Sequence, residues 1–228
     1  MITPTPNLRP NLGRHAASTD EEIVALVLDG QVELFEVIMR RHNQRVFRAV
    51  RAILKSDDDA EDVMQEAYVS AFTHLSSFAG RAQLSTWLVR IAVNEAFARI
   101  RRHKKVADWN ESEAEVFDMP TQTRGPEETA SDSELRGILE SVVDTLPEGF
   151  RMVFVLRAVE QMSVSETAEI LGIPEDTVKT RLHRARGLLQ ASLEGRIGGA
   201  LPSLFDFHLS RCDRVVYGVL DRVRRAAI

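Results

Sequence analysis

One cysteine, Cys212, stands in 228 residues, so no intrachain disulfide can staple the fold, as suits the reducing cytoplasm where the chain is expected to reside. The longest apolar run, Ile23-Val24-Ala25-Leu26-Val27-Leu28, has six residues, whereas a helix needs about 20 to cross a bilayer. Membrane insertion is therefore not expected. The first 20 residues contain Arg9 and Arg14 but no apolar stretch before a small-residue cleavage site, so no secretory leader is expected. Between positions 31 and 119 the only glycine is Gly80, and there is no proline. With the strongest chain breakers nearly absent, long helices are expected there. Nowhere do polar and apolar residues alternate between turn signals, which removes strands from the expectation.

Catalytic equipment is missing as well. The histidines (His15, His42, His74, His103, His183 and His208) are scattered, and neither a glycine-rich phosphate loop nor a local Ser/His/Asp or Cys/His set is present. His208 and Cys212 are four apart, but a metal site needs further ligands and none is near. No catalytic residue, metal or cofactor is expected.

What the chain does contain is a balanced globular composition, 44% hydrophobic and 28% charged, enough to bury a core. The formal charge of −5 is distributed unevenly. Residues 90–105 carry Arg90, Arg99, Arg101, Arg102, Lys104 and Lys105 against Glu95 alone. Lys179, Arg181, Arg184 and Arg186 fall within eight residues that hold no acid. Between these patches, residues 106–133 have eight acidic side chains and one basic. Two basic patches divided by an acidic stretch say more about partners than the total does.

The organisation follows from local signals. Residues 1–17, with Pro4, Pro6 and Pro10 and no periodicity, are expected to be a disordered tail. Thr19-Asp20-Glu21-Glu22 has capping-box spacing and starts a helix that stops at Gly30. Apolar steps of three and four then run through Phe35, Met39, Val46, Val50 and Ile53, and through Ala60, Val63, Met64, Ala67, Tyr68, Ala71, Phe72 and Leu75. A third helix is expected at about 84–103, closing a first domain over 18–105. Residues 106–133, with Pro120, Gly125 and Pro126, form an acidic linker extended by its own charge. A second domain over 134–195 is predicted to contain helices near 134–145, 148–160, 164–171 and 175–193. Residues 196–228 form an extension in which Leu209, Cys212, Val216, Val219 and Val223 make an apolar helical stripe, with Cys212 a small core residue. The fold class is all-α: two helical bundles joined by a flexible tether, plus a C-terminal helix.

The sharpest motif runs from Ser163 to Arg186, a short helix, a turn at Gly172-Ile173-Pro174, and a second helix. This is helix-turn-helix spacing, with small Ala168 expected where the helices approach. In the second helix Val178, Leu182 and Ala185 point inward. Lys179, Thr180, His183, Arg184 and Arg186 point outward, and Thr177 lies near the helix start. Such side chains bond phosphates and guanine edges in the major groove.

This passage resembles region 4 of the bacterial sigma-70 family, in the small two-domain group of extracytoplasmic-function (ECF) sigma factors. Asp59-Ala60-Glu61-Asp62-Val63-Met64-Gln65-Glu66-Ala67-Tyr68 and Ser85-Thr86-Trp87-Leu88-Val89-Arg90-Ile91-Ala92-Val93-Asn94 resemble its region 2. The resemblance implies a promoter-specificity subunit that binds core RNA polymerase and promoter DNA and is held in check by an anti-sigma factor. Asp58, Asp62, Gln65 and Glu66 form an acidic and amide helix face suited to a basic partner, which the resemblance identifies as the coiled-coil element of the largest polymerase subunit. Arg90, Asn94, Phe97 and Arg101 form one stripe, with Arg102 beside it, offering a cation, an amide and a ring to unstacked bases. The resemblance assigns this helix and the loop from Ser77 to Leu84 to the single-stranded minus-ten element, with a base flipped out. It assigns Thr177, Lys179, Thr180, Arg181, His183, Arg184 and Arg186 to the minus-thirty-five element as duplex. Phe97 and Trp87 also fit core positions. The residues by themselves leave two alternatives: a helix-turn-helix regulator binding an operator as a dimer, and a helical module meeting an acidic protein.

Overall fold

The computed structural model describes residues 15, 17–109, 130–193 and 209–226. Nine α-helices account for most of them: α1 (Asp20–Leu28), α2 (Phe35–Leu54), α3 (Asp57–Thr73), α4 (Leu84–Trp109), α5 (Ala130–Thr145), α6 (Glu148–Phe154), α7 (Val164–Leu171), α8 (Glu175–Leu193) and α9 (Leu209–Ala226). There is no strand among the described residues.

Local chemistry sets the helix ends. At α1 the Thr19 hydroxyl accepts from the Glu22 amide at 3.2 Å and the Glu22 carboxylate accepts from the Thr19 amide at 2.9 Å, the reciprocal cap anticipated above. Ser56 caps α3 by accepting from the Asp59 amide, and Ser163 with Glu166 repeats the capping box at α7. Helix α7 ends at Gly172, whose φ of +62° is a left-handed conformation that glycine adopts without a Cβ penalty.

The first bundle packs α2, α3 and α4 together, with α1 across α2. Phe35 stands edge-on to Tyr68 and Phe72, with ring centroids 6.2 and 5.3 Å away, and Met64, Leu88, Val89 and Ala92 are buried in the same core. In the second bundle α6 and α7 pack on α8, and Val153, Leu156, Ile170, Val178 and Ala185 are buried. Helix α6 runs into one π-turn, Val155–Val159, so the single helix expected over 148–160 is two pieces. Glu160 follows that turn and faces Arg45 and Arg48 of α2.

Several boundaries and relations differ from expectation. Helix α4 continues to Trp109 and α5 begins at Ala130, so both ends of the acidic segment are helical; residues 110–129 lie outside the described ones. The tail's residues 1–14 and 16 lie outside them too, while the His15 carbonyl accepts from Arg41 at 2.9 Å. The two bundles pack directly on one another, α2 against α6 and α4 against α7. Arg51 of α2, 5% exposed, donates to both Asp144 oxygens at 3.2 and 2.8 Å and to Asp57 at 2.7 Å. Burial lowers its proton affinity, but the bonds and charges of Asp144 and Asp57 outweigh this and hold its pKa above the ordinary arginine value. In the opposite direction Arg151 of α6, 2% exposed, donates to the carbonyls of Ala52 and Leu146. Those are helix-end acceptors, where a cation is favoured. Arg45 and Arg48 meet Glu160 at 3.2 and 3.0 Å.

The C-terminal helix α9 lies on α3 and α2. Val216, Val219 and Val223 of its expected stripe are buried, together with Val215 and Leu220; the side chain of Cys212 and all of His208 lie outside the described residues. Full burial is worth about 1.5–3 kcal/mol per aliphatic side chain before ordering costs, which holds this helix on the first bundle.

Candidate nucleic-acid and polymerase interfaces

Three surfaces take shape. On the helix-turn-helix, Val178 and Ala185 are buried and Leu182 is half-buried, which turns Lys179, Thr180, His183, Arg184 and Arg186 to solvent. Thr177 is half-buried at the helix start. Lys179 is tied to Asp176 at 3.0 Å, and the Thr180 hydroxyl donates to the Asp176 carbonyl at 2.8 Å. Arg181 is placed differently: it is half-buried and its guanidinium lies over Gly149, where a Cβ would come within 3.0 Å of Nη1. The most deeply buried residue of α7's inner face is Thr167, with Ala168 only half-buried. The Thr167 hydroxyl is satisfied by the Ser163 carbonyl at 2.9 Å, so it can enter the core without an orphaned donor.

The second surface belongs to α4 and the preceding loop. Ser77, Phe78, Ala79, Arg81 and Ala82 face Thr86, Trp87 and Arg90 across a cavity of about 280 Å³. Trp87 is half-buried and tilted against Phe78 at 5.5 Å. Asn94, Arg101 and Arg102 are exposed further along the helix, and Phe97 is half-buried against the core. Helix α7 of the other bundle closes one side of this cavity. Arg90 is ion-paired with Glu169, and Thr86 donates to Glu166 at 2.6 Å. The Thr86 and Ser163 bonds hold the Glu166 carboxyl below its ordinary pKa. Neither Glu166 nor Glu169 is marked in the sequence as a neighbour of this loop, because each lies about 80 residues from its partner.

The third surface is α3. Asp58 and Asp62 are exposed, and Asp62 stands 3.5 Å from Arg99 of α4, which also binds Asp59. Gln65 is half-buried beneath Gly218 of α9, and Glu66 pairs with Arg222 at 2.8 Å. Glu61, one turn before Gln65, belongs to this face and was not singled out from the sequence. Its position four residues ahead of Gln65 is the signal that would have found it. Here it is 7% exposed and gripped by Arg214.

A helix-turn-helix with an outward basic face, joined to a helical bundle that carries a second basic helix, defines a DNA-binding regulator of transcription. Residues 38–106 match the model for sigma-70 region 2 and residues 136–189 that for sigma-70 region 4. The chain is similar to the ECF RNA polymerase sigma factor SigW of Bacillus subtilis strain 168, 33% identical over 173 residues that cover 73% of this chain and 92% of the relative. It is 34% identical to the ECF RNA polymerase sigma-E factor of Escherichia coli K12 over 174 residues, 74% of this chain and 91% of the relative. Among solved structures, the sigma factor RpoE in complex with the anti-sigma factor NepR from Bartonella quintana aligns with a TM-score of 0.57 at 22% identity, covering 67% of this chain and 92% of that one. CnrH in complex with the cytosolic domain of CnrY gives 0.55 at 26% identity, covering 78% and 99%.

The chain belongs to the ECF group of the sigma-70 family. Its activity is the family's: it is a non-catalytic subunit with which RNA polymerase recognises promoters. The operator-binding dimer and the acidic-protein module fall away with that membership. Among the described residues no helix is long and apolar enough to cross a membrane.

Proposed function

We propose that the two bundles read a two-part promoter, α8 the minus-thirty-five element as duplex and α4 with its preceding loop the minus-ten element as single strand. The observation that carries this is the cavity of about 280 Å³ between the 77–82 loop and Trp87 and Arg90, with the Asn94 amide exposed one helical turn beyond Arg90. A concave site of that size with an aromatic wall and a cation suits one extruded base, stacked and held by its edge. On the other bundle, Thr177, Lys179, Thr180, Arg181, His183, Arg184 and Arg186 would meet phosphates and base edges in the major groove, with Arg181 reaching over Gly149. Asp58, Asp62, Gln65 and Glu66, with Glu61 added, would receive the coiled-coil element of the largest polymerase subunit. Because Glu169 binds Arg90 at the cavity, reading of the minus-ten strand follows separation of the bundles. An anti-sigma factor is the remaining partner we infer from family membership.

Run-off transcription with purified core RNA polymerase over a genomic fragment library tests the reading. Discrete new start sites that share two spaced upstream motifs are expected. Asn94→Ala should then weaken opening at particular downstream sequences with core binding intact. Equal loss at all promoters, or loss of core binding, would remove Asn94 from the base-reading role.

A further inference from the structure

We propose that helix α9 is the resident occupant of the face of α3 that receives core polymerase, so that α9 and the polymerase element take turns there. The inference rests on the reading of α3 as that docking face. A basic amphipathic helix on an acidic and amide face is the chemistry assigned above to polymerase docking, and α9 reproduces it within the chain. Arg214 grips Glu61 through two bonds, Nε to Oε2 at 3.0 Å and Nη2 to Oε1 at 2.9 Å. The Glu61 bonds hold the Arg214 guanidinium above its usual pKa. Two turns on, Arg222 binds Glu66 at 2.8 Å. Midway between them Gly218 lies against Gln65 so closely that a Cβ would sit 2.8 Å from Oε1. Glycine weakens a helix interior; here it permits the close approach. Arg214, Gly218 and Arg222 thus form one stripe at steps of four, facing Glu61, Gln65 and Glu66. Beneath it Val215, Val216, Val219, Leu220 and Val223 are buried. Asp58 and Asp62 stay exposed, an open edge of the face on which a partner can land first.

If the face must be vacated, the apparent affinity for core enzyme is reduced by the fraction of molecules with α9 undocked. The test measures binding of the full-length chain to purified core RNA polymerase, by fluorescence titration, and hydrogen exchange of residues 214–223 with and without saturating core enzyme. Two kinds of variant loosen α9 without touching α3: Arg214→Ala combined with Arg222→Ala, which removes the charges, and Gly218→Leu, which wedges the helices apart while favouring the helix itself. Each is expected to tighten core binding by about tenfold. In the wild-type chain the α9 amides should lose protection when core enzyme binds. Asp62→Lys, at an exposed residue of the face whose ion pair is with Arg99 of α4, is the control for the docking reading and should abolish core binding. Unchanged affinity in both loosened variants, with α9 still protected in the complex and Asp62→Lys defective, overturns the occupancy proposal and leaves the docking face standing. Normal binding by Asp62→Lys overturns the docking face and the occupancy with it.

Discussion

The contact between the bundles turns on Arg51, and the substitution Asp144→Asn tests it directly. The change keeps size and shape but removes the charge that receives two bonds from a guanidinium only 5% exposed. Asp144 itself is 15% exposed, so little water reaches the pair. Breaking a buried pair by altering one partner costs about 3–5 kcal/mol, mostly because the other charge stays desolvated. Asp57 still faces Arg51 at 2.7 Å, which places the expected loss at the low end, about 3 kcal/mol. For a chain of this size that is a fall in Tm of about 6–12 °C, measured by calorimetry or circular dichroism on the full-length protein. Adding Arg51→Met to Asp144→Asn should restore much of the loss, because it removes the desolvated cation whose Asp144 partner has lost its charge. Asp57, left behind, is 31% exposed and sits in the first turn of α3, where a carboxylate is favoured. A Tm shift of less than about 2 °C for Asp144→Asn, or a further fall on adding Arg51→Met, would refute the reasoning.

Other perturbations have equally definite outcomes. His42, half-buried and bonded to Asp20 at 2.8 Å, has its pKa lowered mainly by desolvation, with Asp20 opposing and Arg45 and Arg41 assisting. The unfolded chain therefore binds this proton more tightly, and stability falls as pH drops from 6.5 toward the lowered folded value. His42→Gln should flatten the stability curve from about pH 6.5 downward; an unchanged slope in chemical denaturation would assign the pH dependence elsewhere. Gly172→Ala meets no neighbour within 4 Å, so its cost is the left-handed backbone alone, about 1–2 kcal/mol, and thermal unfolding should detect it. A variant as stable as the parent would mean that the turn can relax. Arg184→Ala should weaken upstream-element binding by the polymerase complex by about 1–3 kcal/mol if the contact is bidentate to guanine. Gel-shift competition with altered promoters would expose a mere phosphate contact as a loss without any change in sequence preference.

The capped starts of α1 and α7, the helix-turn-helix and the outward basic faces were legible in the sequence because each depends on partners three or four residues apart, whereas the end of α4 at Trp109 and the start of α5 at Ala130 were not. Thr19 with Glu22 and Ser163 with Glu166 form their caps by local hydrogen bonds, and Gly172 ends α7 through its own backbone freedom. Steps of three and four likewise placed Ala60, Val63, Met64, Ala67 and Tyr68 inside. Tertiary structure alone decided what meets those faces. Arg51 and Asp144 are 93 residues apart, Thr86 and Glu166 are 80, and Arg214 and Glu61 are 153. A helical period tells which side of a helix is apolar or charged, but it holds no information about which distant helix covers that side. The acidic segment was expected as a tether over 106–133, whereas helix continues to Trp109 and resumes at Ala130, and the packing of the bundles on one another was invisible. In the same way the stripe on the last helix announced a partner, and only the folded chain identified it as α3.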